Sequence, residues 1–309
     1  MRIFVTGASG WIGSAVVPEL LGAGHEVVGL ARFEASARRL EAAGASVWHG
    51  DVDDPDGLAT AAADSDGVIH LAFQHEVAFG GNFAAAAAAD RRAVEAMGAA
   101  LADSDRPFVL ASGLLGMKPG RVATEDDGLV PTAEVRSSPV GRRAATALLT
   151  LSLAGTGVRS SVLRFPPTVH GAGDQGFVAT LVGIARERGV AGYVGDGTTR
   201  WPAVHRSDAA RLVRLAVESA PAGSVLHAVG DEGVAFREIA EAMGGHLGIP
   251  AVSVSPADAV AHFSFLGHFV GMDSPATATA TRALLGWAPT GPGLLADLEQ
   301  DHYYREAAV

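Results

Sequence analysis

Val5-Thr6-Gly7-Ala8-Ser9-Gly10-Trp11-Ile12-Gly13 decides how this chain is read. The apolar run Ile3-Phe4-Val5 leads into it, and a helical pattern leads out. A strand, a glycine turn and a helix start therefore follow one another without a break. That context makes the glycine spacing a specific signature for a dinucleotide pyrophosphate. Gly7 lets the chain turn tightly, Gly10 lets backbone N–H groups approach phosphates, and Gly13 lets the helix pack against the strand. The helix N-terminus adds unpaired donors and a partial positive charge. The competing reading is a glycine-rich surface turn.

Working outward, strands read over residues 3–6, 27–30, 46–49, 68–71, 108–111 and 160–165. Helical patterns read over 11–23, 35–43, 55–63, 83–102 and 140–154. Short apolar strands between amphipathic helices imply a parallel sheet covered on both faces, with right-handed crossovers. Asp54-Pro55 suits a helix cap followed by proline at the first helical position. After Phe165 the pattern changes. Pro166-Pro167 stops regular structure, and Gly171-Ala172-Gly173-Asp174 is a loop. Helices follow over 177–188 and 207–219, with a strand over 225–229. The expected fold class is α/β: a Rossmann doubly wound parallel sheet with a smaller, mixed α/β C-terminal substrate lobe. Residues 1–170 form the dinucleotide domain, 195–229 return to it, and 171–309 supply a discontinuous lobe. The substrate belongs in the cleft at the carboxyl ends of the strands.

Composition narrows the partners. The 309 residues are 48% hydrophobic with a net charge of −11, which suits a globular chain with a small-molecule substrate. That charge argues against nucleic acid and against an anionic membrane surface. With no cysteine, disulfides, Cys-ligated zinc and thiol catalysis are excluded, and a cytoplasmic location is expected. The apolar start after Met1-Arg2 is broken by glycines, unlike a signal peptide. The alanine run over 84–89 meets Asp90-Arg91-Arg92, far short of the ~20 residues a membrane span needs.

The end of the second strand bears on the cofactor. It reads Val28-Gly29-Leu30-Ala31-Arg32, with no acid before Glu34. Arg32 offers a planar guanidinium where a 2′-phosphate would lie, and Arg38 could add a second cation. NADP is favoured over NAD; the alternative is that both arginines are ordinary surface residues and Glu34 binds an NAD ribose. Asp51, in Gly50-Asp51-Val52-Asp53, could accept from the adenine amino group or cap a helix.

These stretches together resemble the extended short-chain dehydrogenases/reductases, in the NAD-dependent epimerase/dehydratase-like branch. The resemblance also rests on Val68-Ile69-His70-Leu71-Ala72-Phe73, Ala111-Ser112-Gly113, Val162-Leu163-Arg164-Phe165-Pro166-Pro167-Thr168-Val169-His170-Gly171 and Trp201-Pro202-Ala203-Val204-His205-Arg206-Ser207-Asp208. It implies that Gly7, Ser9, Gly10, Trp11, Ile12 and Gly13 hold the pyrophosphate, and that Asp51 and Val52 touch adenine. Leu71, Ala72, Phe73 and Ser112 would line the nicotinamide side, with Pro166 and Thr168 near the carboxamide. A homodimer through the helices over 83–102 and 140–154 is implied as well.

Members of that family commonly carry Tyr-x-x-x-Lys on the helix after the fifth strand. Here the spacing puts Ser138 at the tyrosine position and Arg142 at the lysine position, and no tyrosine precedes residue 191. Arg142 can bind ribose but cannot shuttle a proton. Ser112, Tyr193 and His75 are the other candidates for the chemistry, with His170 and His205 behind them. No Gly-x-Ser-x-Gly elbow and no His-Glu-x-x-His pair is present, so a hydrolase triad is unsupported and no metal is expected. The leading expectation is an NADP-dependent reductase acting on a small carbonyl, imine or conjugated alkene. Phe263, Phe265, Phe269 and Trp287 would supply an apolar pocket wall, the alternative being that they pack as core aromatics. The alternatives are a non-catalytic NADP-binding sensor and a nucleotide-sugar epimerase or dehydratase, with Arg186, Arg188 and Arg200 as cations for a diphosphate.

Overall fold

Alternation along β1 (Arg2–Thr6) shows how the molecule is layered. Ile3 and Val5 point to one face of the sheet and Phe4 to the other, and all three are fully buried. The structure, a computed structural model, describes residues 1–128 and 139–305; the candidate Ser138 lies outside the described residues. On the Ile3/Val5 face, core packing comes from α1 (Gly13–Gly22) and α7 (Arg206–Ser219), through Val16, Val17, Leu20, Leu212 and Val213. On the Phe4 face it comes from α3 (Pro55–Ala63) and α4 (Phe83–Ala100), through Leu58, Val94 and Met97. A strand buried on both faces is what a continuous apolar run demands.

The central sheet has seven parallel strands. β2 (Glu26–Ala31) and β3 (Ser46–His49) lie on one side of β1. β4 (Gly67–His70), β5 (Pro107–Gly113), β6 (Arg159–Phe165) and β10 (Ser224–His227) lie on the other. The order β10-β6-β5-β4-β1-β2-β3 reverses direction between β1 and β4. This is the doubly wound, Rossmann-like sheet with its switch point at the carboxyl ends of β1 and β4. The second helix, α2 (Glu34–Ala42), connects β2 to β3. Asp54 caps α3 by accepting from Gly57 N–H at 3.1 Å, with Pro55 at the first helical position. Helix α5 (Pro139–Ser152) lies beside α4 and leads towards β6.

The remaining strands form two small sheets in the lobe. One is β11-β9-β7, from β7 (Thr168–His170), β9 (Arg200–His205) and β11 (Asp231–Ala235). The other pairs β8 (Ala191–Val194) with β12 (Ala251–Val254). Between them pack α6 (Phe177–Arg188) and α8 (Phe236–Leu247), around Trp201, Phe236 and Phe263. Regular structure thus resumes right after Pro166-Pro167, where the sequence reads a stop. Thr168 anchors the short strand by donating its hydroxyl to the Pro202 carbonyl, a contact no local pattern encodes. Helix α1 begins at Gly13, because Gly10, Trp11 and Ile12 belong to the turn. Among the described residues no helix is long and apolar enough to cross a membrane.

Candidate functional site

The switch point is built from backbone. Gly7 has φ of 67°, and a Cβ there would lie 2.8 Å from Ala72 N, the residue that follows β4 and Leu71. A Cβ on Gly13 would lie 2.1 Å from the Gly7 carbonyl oxygen. The Gly10 N–H donates to that same oxygen at 3.0 Å. Two of the three glycines therefore sit where any side chain would collide with main chain. The turn they close leaves the start of α1 open at Ser9, Gly10 and Ile12, which are partly or fully exposed. A cradle a Cβ would fill, at a helix N-terminus, fits a diphosphate.

Trp11 ties this turn to the lobe. Its indole Nε1 donates to the Val169 carbonyl of β7 at 2.8 Å. The Arg206 guanidinium stacks 4.2 Å above its ring and donates to Ser14 Oγ at 2.6 Å. Further along the carboxyl edge, Arg32 is exposed, lies over the Phe33 ring at 4.3 Å and approaches Asp51 Oδ2 at 3.7 Å. Arg38 is exposed on α2, and Asp51 and Val52 are partly buried beyond β3. Asp53 accepts from Gln74 and Arg92.

Beyond β4 the chain turns through Leu71, Ala72 and Phe73, all partly buried. Thr6 Oγ1 accepts from Ala72 N–H at 3.2 Å and lies 2.6 Å from His70 Nδ1. His70 Nε2 faces Asp90 Oδ1 at 3.3 Å, and Thr6, His70 and Asp90 are all buried. A carboxylate beside Nε2 favours the ring proton there, which leaves Nδ1 to accept from the Thr6 hydroxyl.

Arg143, from α5, completes this wall. Its guanidinium lies 3.9 Å over the Phe73 ring, its Nη2 donates to the Ala111 carbonyl at 3.3 Å, and its buried Nε has no partner. Burial lowers its pKa, and the charge of Asp90 opposes that shift. His75 meets Phe73 edge-on at 5.1 Å. His75 is exposed at the surface, yet desolvation by the surrounding chain and then the Arg143 charge lower its pKa to about 4, so the imidazole is neutral at neutral pH.

Among the sequence candidates, Leu71, Ala72, Phe73 and His75 thus share one wall with Arg143. Ser112, partly buried, follows Ala111 on β5 and pairs in register with Arg164 of β6. Pro166 is buried, and the Thr168 hydroxyl is committed to Pro202. Arg142 is exposed and lines a shallow groove with Ala84, Ala87, Ala88, Arg91 and Ala145. Neighbours on a helix diverge by about 100°, so one arginine turns outward and the next turns in. Arg143 and Asp90 were not singled out by the sequence; the signal lay in the phase of α5 and in one carboxylate on an alanine-rich helix face. Tyr193 lies on β8 in the lobe, with the Arg237 guanidinium 4.9 Å from its ring. His170 is buried with Nδ1 2.8 Å from Asp297 Oδ2, and His205 caps α7. Phe263 is buried in the lobe core. Trp287 is buried in the central core and donates to the Asp208 carbonyl at 3.1 Å, so it forms no part of a pocket wall.

The chain is 45% identical over 305 residues to the uncharacterized protein C2A9.02 of Schizosaccharomyces pombe, covering 98% of this chain and 100% of that one. It is 42% identical over 304 residues to the uncharacterized protein YLL056C of Saccharomyces cerevisiae, covering 98% and 99%. Among solved structures, MoeE5 in complex with UDP-glucuronic acid and NAD superposes with a TM-score of 0.74 at 25% identity, covering 98% of both chains. The dTDP-glucose 4,6-dehydratase DesIV of Streptomyces venezuelae, with 21% identity over 99% of this chain and 97% of its own, shares the fold with a TM-score of 0.79. The sequence model of the NAD dependent epimerase/dehydratase family matches residues 3–228, and the chain belongs to that family.

Proposed function

We propose that this protein is an NADP-dependent reductase acting on a small organic carbonyl, imine or conjugated alkene. The observation that carries the reading is the glycine cradle at the switch point, closed sterically by Ala72 and by the Gly7 carbonyl. Gly7, Ser9, Gly10, Trp11, Ile12 and Gly13 hold the diphosphate, and Asp51 and Val52 flank the adenine. Arg32, with Arg38 behind it, meets the 2′-phosphate, although the MoeE5 structure is a complex with NAD. Leu71, Ala72, Phe73, Pro166 and Thr168 border the nicotinamide. When bound, that coenzyme supplies the hydride.

Arg143 takes the ribose-binding part that the sequence assigns to Arg142. It lies partly buried over Phe73, with an unpaired Nε. In this reading Ser112 and His75 orient the substrate oxygen. The neutral His75 ring donates a hydrogen bond there rather than acting as a charged acid. Tyr193 is a poorer donor, held in the lobe under Arg237. A homodimer through α4 and α5 is part of the same proposal.

The test is NADPH consumption with a panel of ketones, imines and enones. Turnover with any member supports the reductase. NADPH binding with silence across the panel favours the second reading, a coenzyme-binding sensor without turnover. One feature favours that reading: two of the three tyrosine hydroxyls of the lobe are engaged there, Tyr303 with Gly171 N–H and Asp174, and Tyr304 with the Leu298 carbonyl.

A further inference from the structure

We infer that the substrate half of this site takes an uncharged, planar, apolar molecule and not a nucleoside diphosphate sugar. The inference rests on the coenzyme reading above, which locates the substrate beside Ser112.

The first observation concerns cations. A nucleoside diphosphate held by the lobe needs free guanidinium or ammonium groups. The three arginines that the sequence offers for this are engaged within the protein. Arg186 donates to the Tyr304 carbonyl at 3.0 Å, and Arg188 donates to the Ala261 carbonyl. Arg200 makes a bidentate pair with Asp273, Nε to Oδ1 at 3.0 Å and Nη2 to Oδ2 at 2.8 Å, and its backbone N–H donates to the same Oδ1. The pair raises the Arg200 pKa and lowers that of Asp273. Turning Arg200 toward a diphosphate would strand the Asp273 carboxylate near two added negative charges. The chain's net charge of −11 opposes the same ligand at longer range.

The second observation is what the lobe presents instead. Phe177, at the start of α6, stacks on Phe269 with centroids 6.0 Å apart and meets Phe265 edge-on at 6.1 Å. Trp201 backs Phe177 from the core at 5.9 Å. Phe265 is 38% exposed and Met272 39% exposed, so part of this apolar face remains open to solvent. Exposed aromatic and thioether surface of this kind suits an apolar ligand.

The third observation joins that face to the chemistry. The chain leaving β5 past Ser112 runs directly against it. Gly116 N–H is held by Ser274 Oγ at 3.1 Å, a Cβ on Gly116 would sit 3.8 Å from Met272 Sδ, and Leu115 packs on the lobe core. A flat ring laid on Phe265 and Phe269 would therefore reach from Met272 toward the end of β5. An aromatic enal or enone matches both ends: an apolar plane for the lobe and one carbonyl oxygen for Ser112.

Calorimetric titration of the NADP⁺-loaded protein with trans-cinnamaldehyde, and separately with UDP-glucose, tests this without turnover. Saturable binding of cinnamaldehyde with no heat from UDP-glucose is expected. Phe265→Ala should weaken cinnamaldehyde binding about tenfold. Met272→Glu, an exposed change that leaves the aromatic core intact, should weaken it at least as much. Arg200→Ala should leave it unaltered. Saturable UDP-glucose binding that Arg200→Ala abolishes would overturn the inference, as would no binding of either ligand, or cinnamaldehyde binding indifferent to both Phe265→Ala and Met272→Glu. If cinnamaldehyde binds in this pattern but NADPH is consumed with no member of the ketone, imine and enone panel, the substrate class stands and the reductase reading fails.

Discussion

The glycine turn and the Phe73–Arg143 wall meet at Ala72, which abuts Gly7 and precedes Phe73, yet different physics fixes them. The turn is held by main-chain sterics: at Gly7 and Gly13 a single added carbon meets backbone. The wall is held by side chains. A partly buried arginine lies on an aromatic ring, opposed by a buried carboxylate and flanked by a histidine whose pKa is lowered to about 4. A steric feature tolerates no substitution, whereas an electrostatic one is graded and pH-dependent. The comparison teaches that a substitution at the wall has a graded effect, whereas one at the turn meets main chain.

Breaking the turn should produce the largest effect. Gly13→Ala forces a contact of about 2.1 Å with the Gly7 carbonyl. Unfolding free energy should fall by about 3 kcal/mol, read as a lowered urea midpoint, and NADPH affinity should be lost. At the wall, Arg143→Ala should weaken NADPH binding more than tenfold and cost about 2 kcal/mol of stability, because Asp90 loses its counter-charge. Arg143→Lys should recover most of the affinity, while Arg142→Ala should leave it unchanged. That contrast in calorimetry sharpens the inward and outward assignment of the two arginines. Arg32→Ala should raise the NADPH dissociation constant about tenfold and leave that of NADH alone.

Acid separates the two regions further. His75 and the buried His227 each have a folded pKa of about 4, from desolvation first and then from Arg143 in one case; for His227 the Thr277 carbonyl opposes the shift and Arg164 adds to it. Both pKa values lie below the unfolded value of 6.5, so between pH 6.5 and about 4 the unfolded chain binds more protons. Stability should therefore fall as pH drops through that window and stop responding to these groups below it. His227→Gln should flatten the slope of urea midpoint against pH. The smallest effect belongs to Trp11→Phe, which keeps a ring under Arg206 but leaves the Val169 carbonyl unpaired, at about 1 kcal/mol.

The same contrast explains what could be read from the sequence. The turn, α3 and α6 were legible because caps, prolines, glycines and apolar spacing act locally: Asp54-Pro55 starts α3, and Gly189 with φ of 66° ends α6. The parallel sheet was legible from runs such as Ile3-Phe4-Val5, which need cover on both faces. The small strands β7, β8, β9 and β12 were not, because each is three to six residues long and owes its conformation to a distant partner, as Thr168 does to Pro202. The inward arginine was illegible for a related reason. Arg142 and Arg143 are chemically equal, and only the rotation of α5 against Phe73 and Ala111 distinguishes them. Trp287 was open between a pocket wall and a core, and packing into the central core decides it, because composition does not reveal which of the two a side chain joins.

The central claim is that a phosphorylated nicotinamide coenzyme lies between the turn and this wall. Calorimetric titration of the purified chain and of Arg143→Ala with NADPH tests it most directly. The account predicts a saturable one-to-one complex for the native chain and a dissociation constant raised more than tenfold in the variant. Absence of heat with both NADPH and NADH, or identical binding by the native chain and the variant, would contradict it.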